Sequence, residues 1–254
     1  MTDASAFLKD IKKSPDHYYI IHYSSEHLFD ETISGSSPRI TSIVVNHYST
    51  GQIQSFAIHT VADLLGIPKA QVAAQYDLIE KEMLTQFFSF VAPRTQHLWV
   101  HWNMRTIVFG FEHLEHRYKH FTGQNAPTIP VENRINLNDV LRSKYGELYA
   151  AHPQMINLMR LQGDLPKHFL TGEQESQCFA NQEFIRMHLS TISKVQFFGY
   201  AIRQAIRGKL RTQGKGLFVF IDRCLESRWS RVLTFTASMA GFSYLILRIA
   251  GLVR

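Results

Sequence analysis

The chain has 254 residues, of which 45% are hydrophobic and 12% aromatic, and its formal net charge is +6. This composition is sufficient for a packed core and excludes a wholly disordered chain. The two cysteines, Cys178 and Cys224, exclude a disulfide framework and a cysteine-rich zinc site, so we expect a reducing compartment. Residues 1–19 lack the apolar core of a signal peptide, and we expect the main domain to be cytoplasmic.

The first half of the chain alternates between strand and turn patterns. Residues 17–25, 39–48 and 52–60 are rich in β-branched and aromatic residues, and short polar turns separate the second from the third. Three consecutive strands of this kind predict an antiparallel meander. The spacing of apolar residues then becomes helical, with a break at residues 66–68 and a second helix over residues 70–91.

The second half begins with LWVHW at residues 98–102, a short apolar run that predicts a buried strand. Helical spacing follows over residues 106–121, and Gly123 closes that helix. Residues 133–146 contain a short strand and a helix start, and helices fill most of the chain from there to about Gly208. The predicted fold class is therefore α/β: a three-stranded antiparallel meander, then α/β crossovers, then C-terminal helices.

This order resembles the ribonuclease H-like fold and, within it, the DEDD-type 3′–5′ exonucleases, and short motifs carry the likeness over residues 17–195. Residues 24–26 read SSE, similar to the family's Asp-x-Glu pair with serine in the aspartate position. Residues 101–106 read HWNMRT, which retains a His and an Asn of the second motif but lacks its aspartate. Asp139 resembles a further aspartate that often follows in these domains.

The resemblance implies a site for two divalent metals, Mg²⁺ or Mn²⁺, held between carboxylates and activating a water against a phosphodiester. If the domain is active, Glu26 and Asp139 are the candidate metal ligands, and Glu173 or Glu175 in the late helix completes the catalytic set. Because most of the family's acids are replaced, the first hypothesis is an altered or inactive exonuclease-like domain that binds a nucleic acid or nucleotide. An active nuclease with a rearranged carboxylate cluster is the second hypothesis.

Candidate binding residues come from two places in the chain. The junction after the buried strand offers an imidazole, an amide and a guanidinium, and a basic stretch near the end offers cations for phosphate groups or anionic lipid. These candidates are His101, Asn103, Arg105, Arg203, Arg207, Lys209, Arg211 and Lys215.

Positive charge is concentrated at the end of the chain. Residues 193–254 hold 11 Lys and Arg against 2 Asp and Glu, whereas residues 1–192 hold 16 against 19. Residues 229–254 include an uncharged run over 232–247, which predicts a hydrophobic helix and a possible membrane anchor on the inner face. We therefore divide the chain into an N-terminal extension (1–16), the exonuclease-like domain (17–200), a basic connector (201–228) and this helix (229–254).

Two further readings complete the sequence hypotheses. His113, His116 and His120 have helical spacing, but no zinc signature is present, so we interpret them as a solvated helix face. No phosphate-binding glycine loop or nucleophile elbow occurs in the sequence. The third functional hypothesis, from another class, is a soluble protein–protein interaction domain whose C-terminal helix packs into its core.

Overall fold

A five-stranded mixed sheet organises the protein. The computed structural model describes residues 3–27, 37–106 and 109–213. The strands are β1 (Tyr18–Ser25), β2 (Ile40–His47), β3 (Ile53–Ala57), β4 (Leu98–His101) and β5 (Arg134–Asn136). Their order across the sheet is β3-β2-β1-β4-β5. The pairs β1–β2 and β2–β3 are antiparallel, whereas β1–β4 and β4–β5 are parallel, so the predicted α/β class and meander are confirmed.

Helices cover both faces of the sheet. The three helices at residues 58–64, 76–91 and 111–122 pack on one face, and the first, fifth and last helices pack on the other. The helices are α1 (Ala4–Lys13), α2 (Ile58–Leu64), α3 (Tyr76–Val91), α4 (Phe111–Thr122), α5 (Leu137–Tyr145), α6 (Gln154–Gln162), α7 (Gly172–Ala180) and α8 (Phe184–Ile206).

The strand β1 explains why the central strands are apolar without strict alternation. Successive side chains of a strand point to opposite faces, and here both faces are covered. Ile21 and Tyr23 lie in the core beneath α3 and α4, and Tyr18 and Ile20 lie in the core beneath α8. All four are almost completely buried. A strand buried on both faces reads as a continuous apolar run.

Three boundaries differ from the sequence prediction. The third strand ends at Ala57, before the predicted end at residue 60, because α2 begins at Ile58. The helix predicted from residue 70 begins at Tyr76, after a 3₁₀ turn. The helix predicted from residue 106 begins only after Gly110, whose backbone N–H donates to the Tyr23 hydroxyl at 2.9 Å. A Cβ at Gly110 would approach the Thr106 carbonyl oxygen to 2.5 Å, so glycine is required there.

The N-terminal segment is part of the folded core. Asp3 caps α1 by accepting from the backbone N–H of Ser5, at 2.9 Å. Phe7 and Ile11 of α1 are buried against α5 and α8. Residues 4–13 therefore belong structurally with the domain that the sequence predicted to begin at residue 17.

The C-terminal predictions concern residues that are largely outside the described part of the chain. The predicted helix at 229–254, Cys224 and Lys215 all lie beyond residue 213. Among the helices that the structure describes, none is long and apolar enough to cross a bilayer. The membrane anchor, and the alternative of a C-terminal helix packed in the core, both stay predictions.

Candidate functional site

The carboxyl ends of three parallel strands meet at one edge of the sheet. β1 ends at Ser25, β4 at His101 and β5 at Asn136, and the register places His101 opposite Asn136. In open α/β sheets, ligands bind outside the carboxyl ends of the strands, because the loops and helix starts there leave a crevice. We call this region the carboxyl edge.

Three asparagine side chains form a connected amide cluster at the carboxyl edge. The Asn136 side chain accepts from the Asn103 backbone N–H and donates to the Asn103 side-chain oxygen, both at 3.0 Å. Asn138 donates to the same Asn103 oxygen at 3.2 Å and accepts from the Tyr149 hydroxyl. Asn103 has a positive φ of 52°, a left-handed conformation that asparagine tolerates better than most residues. The cluster thus fixes the junction between β4 and the following segment.

A guanidinium neutralises the one acid in this cluster. Arg105 Nη1 donates to Asp139 Oδ2 at 2.5 Å, and the Asn136 amide donates to the same oxygen at 3.0 Å. Arg142 lies 4.0 Å from the other carboxylate oxygen of Asp139. The Arg105 side chain is 52% exposed, and its guanidinium has further N–H donors besides the one that Asp139 accepts. The arrangement offers a cation to an anion, beside the partly exposed Asn103, while the carboxylate is already paired and Asn136 and Asn138 are buried.

His101 lies behind this cluster as a neutral imidazole. Its Nδ1 accepts from the Met104 backbone N–H at 3.2 Å, and its ring meets Phe111 edge-on. Burial, with further effects from Arg105 and Arg134, lowers the pKa of His101 to about 3. His101 is therefore buried, and its Nδ1 supports the junction from inside by accepting a backbone hydrogen bond.

We expect this histidine to make the fold acid-sensitive. Because its folded pKa is depressed, its contribution to stability is complete above the unfolded value near 6.5 and decreases as pH falls towards 3. From pH 6.5 to 5 the expected loss is about 2 kcal/mol. Urea unfolding at pH 7, 6 and 5 measures it, and His101→Gln should reduce the slope by this amount, while His22, His113 and His188, whose pKa values are also lowered, retain the rest. An equal slope in the variant would contradict the assignment.

A second acid, Glu175, is buried against β1 and is paired with a lysine. Glu175 Oε1 accepts from Lys194 Nζ at 2.7 Å and from the Ser190 hydroxyl at 2.9 Å. Both charged side chains are at most 5% exposed. The ring of His22 packs edge-on against Phe198. Burial and the charge of Lys194 lower the pKa of His22. A lysine therefore holds the carboxylate that was predicted to help bind a metal.

The predicted carboxylates do not gather at one point. Glu26, at the end of β1, accepts from the Arg39 backbone N–H at 3.5 Å and lies on the side of β2 and α3. Glu173 is exposed in the first turn of α7, whereas Asp139 and Glu175 are held by their cations. Across the three described ranges, no three His, Cys, Asp or Glu side chains converge so as to hold a metal.

The predicted binding residues fall at two separate places. His101, Asn103 and Arg105 are at the carboxyl edge, but α8 carries the basic residues away from it. Thr191 near the start of α8 bonds to Ser24 at the end of β1, and twelve residues further Arg203 acts on Tyr48, beside the start of β1. At about 1.5 Å per residue, this separation is about 18 Å. The exposed members of this second group are Arg203, Arg207, Lys209 and Arg211.

One sequence interpretation of the histidines is wrong. His113, read as part of a solvated helix face, is buried; its Nδ1 lies 3.0 Å from the Tyr23 hydroxyl and its Nε2 lies 3.0 Å from the Pro38 carbonyl oxygen. Burial lowers the pKa of His113 to about 4. His113 does lie on a helix, α4, as its spacing predicts, but it is on the face of that helix that packs against β1.

Sequence reasoning missed the residues that complete the edge. Asn136 and Asn138 were read only as part of a strand and a helix start, although Asn136 is the N-cap of α5, a role that its residue type favours. Lys194 and His22 gave no local signal, because their partners lie elsewhere in the sequence. Comparison with models of protein families, with curated proteins and with solved structures finds no match.

Proposed function

We propose that this chain is a ribonuclease H-like, exonuclease-like domain that binds a nucleic acid or nucleotide at its carboxyl edge without metal-dependent cleavage. The observation that carries the proposal is the pairing of Asp139 with Arg105, beside three asparagine amides. Where a nuclease would present free carboxylates to a cation, this edge presents the half-exposed guanidinium of Arg105 and the partly exposed side chain of Asn103. Such groups recognise phosphate oxygens and base edges.

The sheet supports the fold part of the proposal. Its first three strands form an antiparallel meander, and β4 and β5 follow as parallel strands, in keeping with the meander and α/β crossovers on which the resemblance rests. The buried pair of Glu175 and Lys194 supports the functional part, since the late-helix acid is also neutralised. The proposed membrane tether concerns residues beyond 213 and adds nothing to this argument.

The test combines a binding and a cleavage measurement on the full chain. Labelled single-stranded DNA, duplex DNA, RNA and a mononucleotide are titrated in Mg²⁺ or Mn²⁺, and product formation is followed in the same samples. We expect salt-sensitive binding without cleavage, and roughly tenfold weaker binding in Arg105→Ala, since a hydrogen bond to a charged group contributes about 1.5–3 kcal/mol. Arg160→Ala, an exposed arginine of α6, is the matched control.

Each other outcome identifies an alternative. Metal-dependent cleavage that Glu26→Ala abolishes would establish the active-nuclease hypothesis and overturn the proposal. Binding that survives Arg105→Ala but is lost in Arg203→Ala/Arg207→Ala would move the interface to the far end of α8. Absence of binding to all four ligands would leave the protein–protein interaction hypothesis.

A further inference from the structure

Two histidines from different helices have adjacent rings, and each ring has a nitrogen without a hydrogen-bond partner. His59 lies in the first turn of α2 and His188 lies in the second turn of α8. Their ring centroids are 5.1 Å apart and the ring planes are tilted by 44°. His59 Nδ1 and His188 Nε2 are both buried and have no hydrogen-bond partner. A buried polar atom without a partner usually marks an absent water, ion or ligand.

The spacing of the rings suits a shared transition-metal ion. Imidazole nitrogens bind Zn²⁺ at about 2.0–2.1 Å, which puts each ring centroid about 3.2 Å from the metal. At a tetrahedral angle two such centroids are about 5 Å apart, and the observed separation is 5.1 Å. Burial lowers the pKa of His188 to about 4 and lowers that of His59, so both rings are in the neutral form that ligates metals.

Space for the remaining ligands is available beside the pair. His59 and Asp63, one helical turn apart on α2, line a cavity of about 330 Å³ that also reaches the start of α8. The cavity can hold the waters that a two-histidine site needs, and the negative charge of Asp63 acts on His59. No third protein ligand converges on the pair within the described residues, so waters must supply the remaining positions.

We propose that His59 and His188 form a binding site for a zinc-like divalent cation that joins α2 to α8. Imidazole ligands select Zn²⁺, Ni²⁺ or Cu²⁺ over Mg²⁺ or Ca²⁺, which take oxygen ligands. The proposed metal site shares no residue with the carboxyl edge, and it is independent of nucleic-acid binding there. It connects the helix after the meander with the helix behind β1, and His59 also lines the cavity.

The experiment titrates Zn²⁺ into the untagged full chain against a chromophoric chelator. Its starting protein is His116→Gln/His120→Gln, because that exposed pair on α4 is four residues apart and offers a competing site. We expect one equivalent of Zn²⁺ to bind. His59→Gln and His188→Gln should each weaken binding by at least about tenfold, and the double change should weaken it little further because both ligands hold one ion.

A measurement that needs no change at either histidine keeps the proposal testable if a variant fails to fold. The zinc X-ray absorption spectrum of the starting protein should show two imidazole nitrogens, with oxygen atoms completing the shell. A spectrum without imidazole, or binding that is unchanged in His59→Gln or His188→Gln, would overturn the proposal. Two bound equivalents, of which each change removes one, would also overturn it, since they indicate separate ions.

Discussion

Lys194→Met is expected to lower the free energy of unfolding by about 3–5 kcal/mol, because it leaves a buried carboxylate without its cation. Lys194 Nζ lies 2.7 Å from Glu175 Oε1, and both side chains are almost completely buried between α7, α8 and the sheet. The Ser190 hydroxyl also donates to Glu175, but one neutral donor does not replace an ammonium group. Urea unfolding of the full chain at pH 7 measures the loss.

The same pair predicts that removing both charges is tolerated far better than removing one. We expect Glu175→Met/Lys194→Met to lie within about 2 kcal/mol of the parent, since apolar replacement of a whole buried ion pair is often neutral. Arg186→Met breaks the solvent-exposed pair between Arg186 of α8 and Glu183, the N-cap of that helix, and should change stability little. A single-charge variant as stable as this control would show that the pair is not buried as described.

Arg117→Met is the second change for which we expect a loss of about 3–5 kcal/mol at pH 7. Glu80 of α3 is completely buried and accepts from Arg117 Nε at 2.8 Å and from the Ile40 backbone N–H at 3.1 Å. Arg117 also donates to the Ser37 carbonyl oxygen at 3.2 Å. One ion pair therefore fixes α4 against α3 and holds the start of β2 to both.

This loss should become smaller in acid. Burial already raises the pKa of Glu80, and Arg117 opposes that rise. Without Arg117 the folded pKa is higher still, so the folded state gains a proton as pH falls and the variant recovers stability relative to the parent between pH 7 and 5. Unfolding of both proteins across this range measures the difference. A constant difference would contradict a buried, unpaired carboxyl group.

A control on α3, the helix that carries Glu80, separates the effect of burial from the effect of charge. Asp77→Asn removes the carboxylate that faces Arg39 at 3.6 Å, where the two side chains are 65% and 42% exposed. Exposed pairs contribute little, and we expect a change of at most about 1 kcal/mol. Equal losses in Asp77→Asn and Arg117→Met would mean that general electrostatics, rather than an unpaired buried charge, controls stability.

The elements themselves could be predicted because their signals are local. Residues 17–25 and 39–48 contain the strands Tyr18–Ser25 and Ile40–His47, and the apolar run at 98–102 contains β4. Helix starts were harder to place. Thr106 was read as the first residue of α4, but an isolated bridge between Arg105 and Gly110 delays the helix to Phe111. That delay depends on Tyr23, a residue more than eighty positions earlier.

The candidate site was predicted only in part. The motif HWNMRT correctly marked a chain junction at the carboxyl end of a strand, where Arg105 contacts Asp139 and Asn103 contacts Asn136. What the motif could not give was the state of the acid, since Arg105 and Asp139 are 34 positions apart. It also could not show that Arg203 and Arg207 lie at the other end of α8.

The sequence by itself determined the kinds and order of the elements, through hydrophobic periodicity and through helix ends such as Gly123 after α4. Only the tertiary structure decided which charges are paired and buried. Residue-type rules place charged side chains at the surface, yet Glu80 and Glu175 are in the interior with Arg117 and Lys194. The reason is physical: a charge can be buried only beside an opposite charge, and the packing of distant helices supplies that partner.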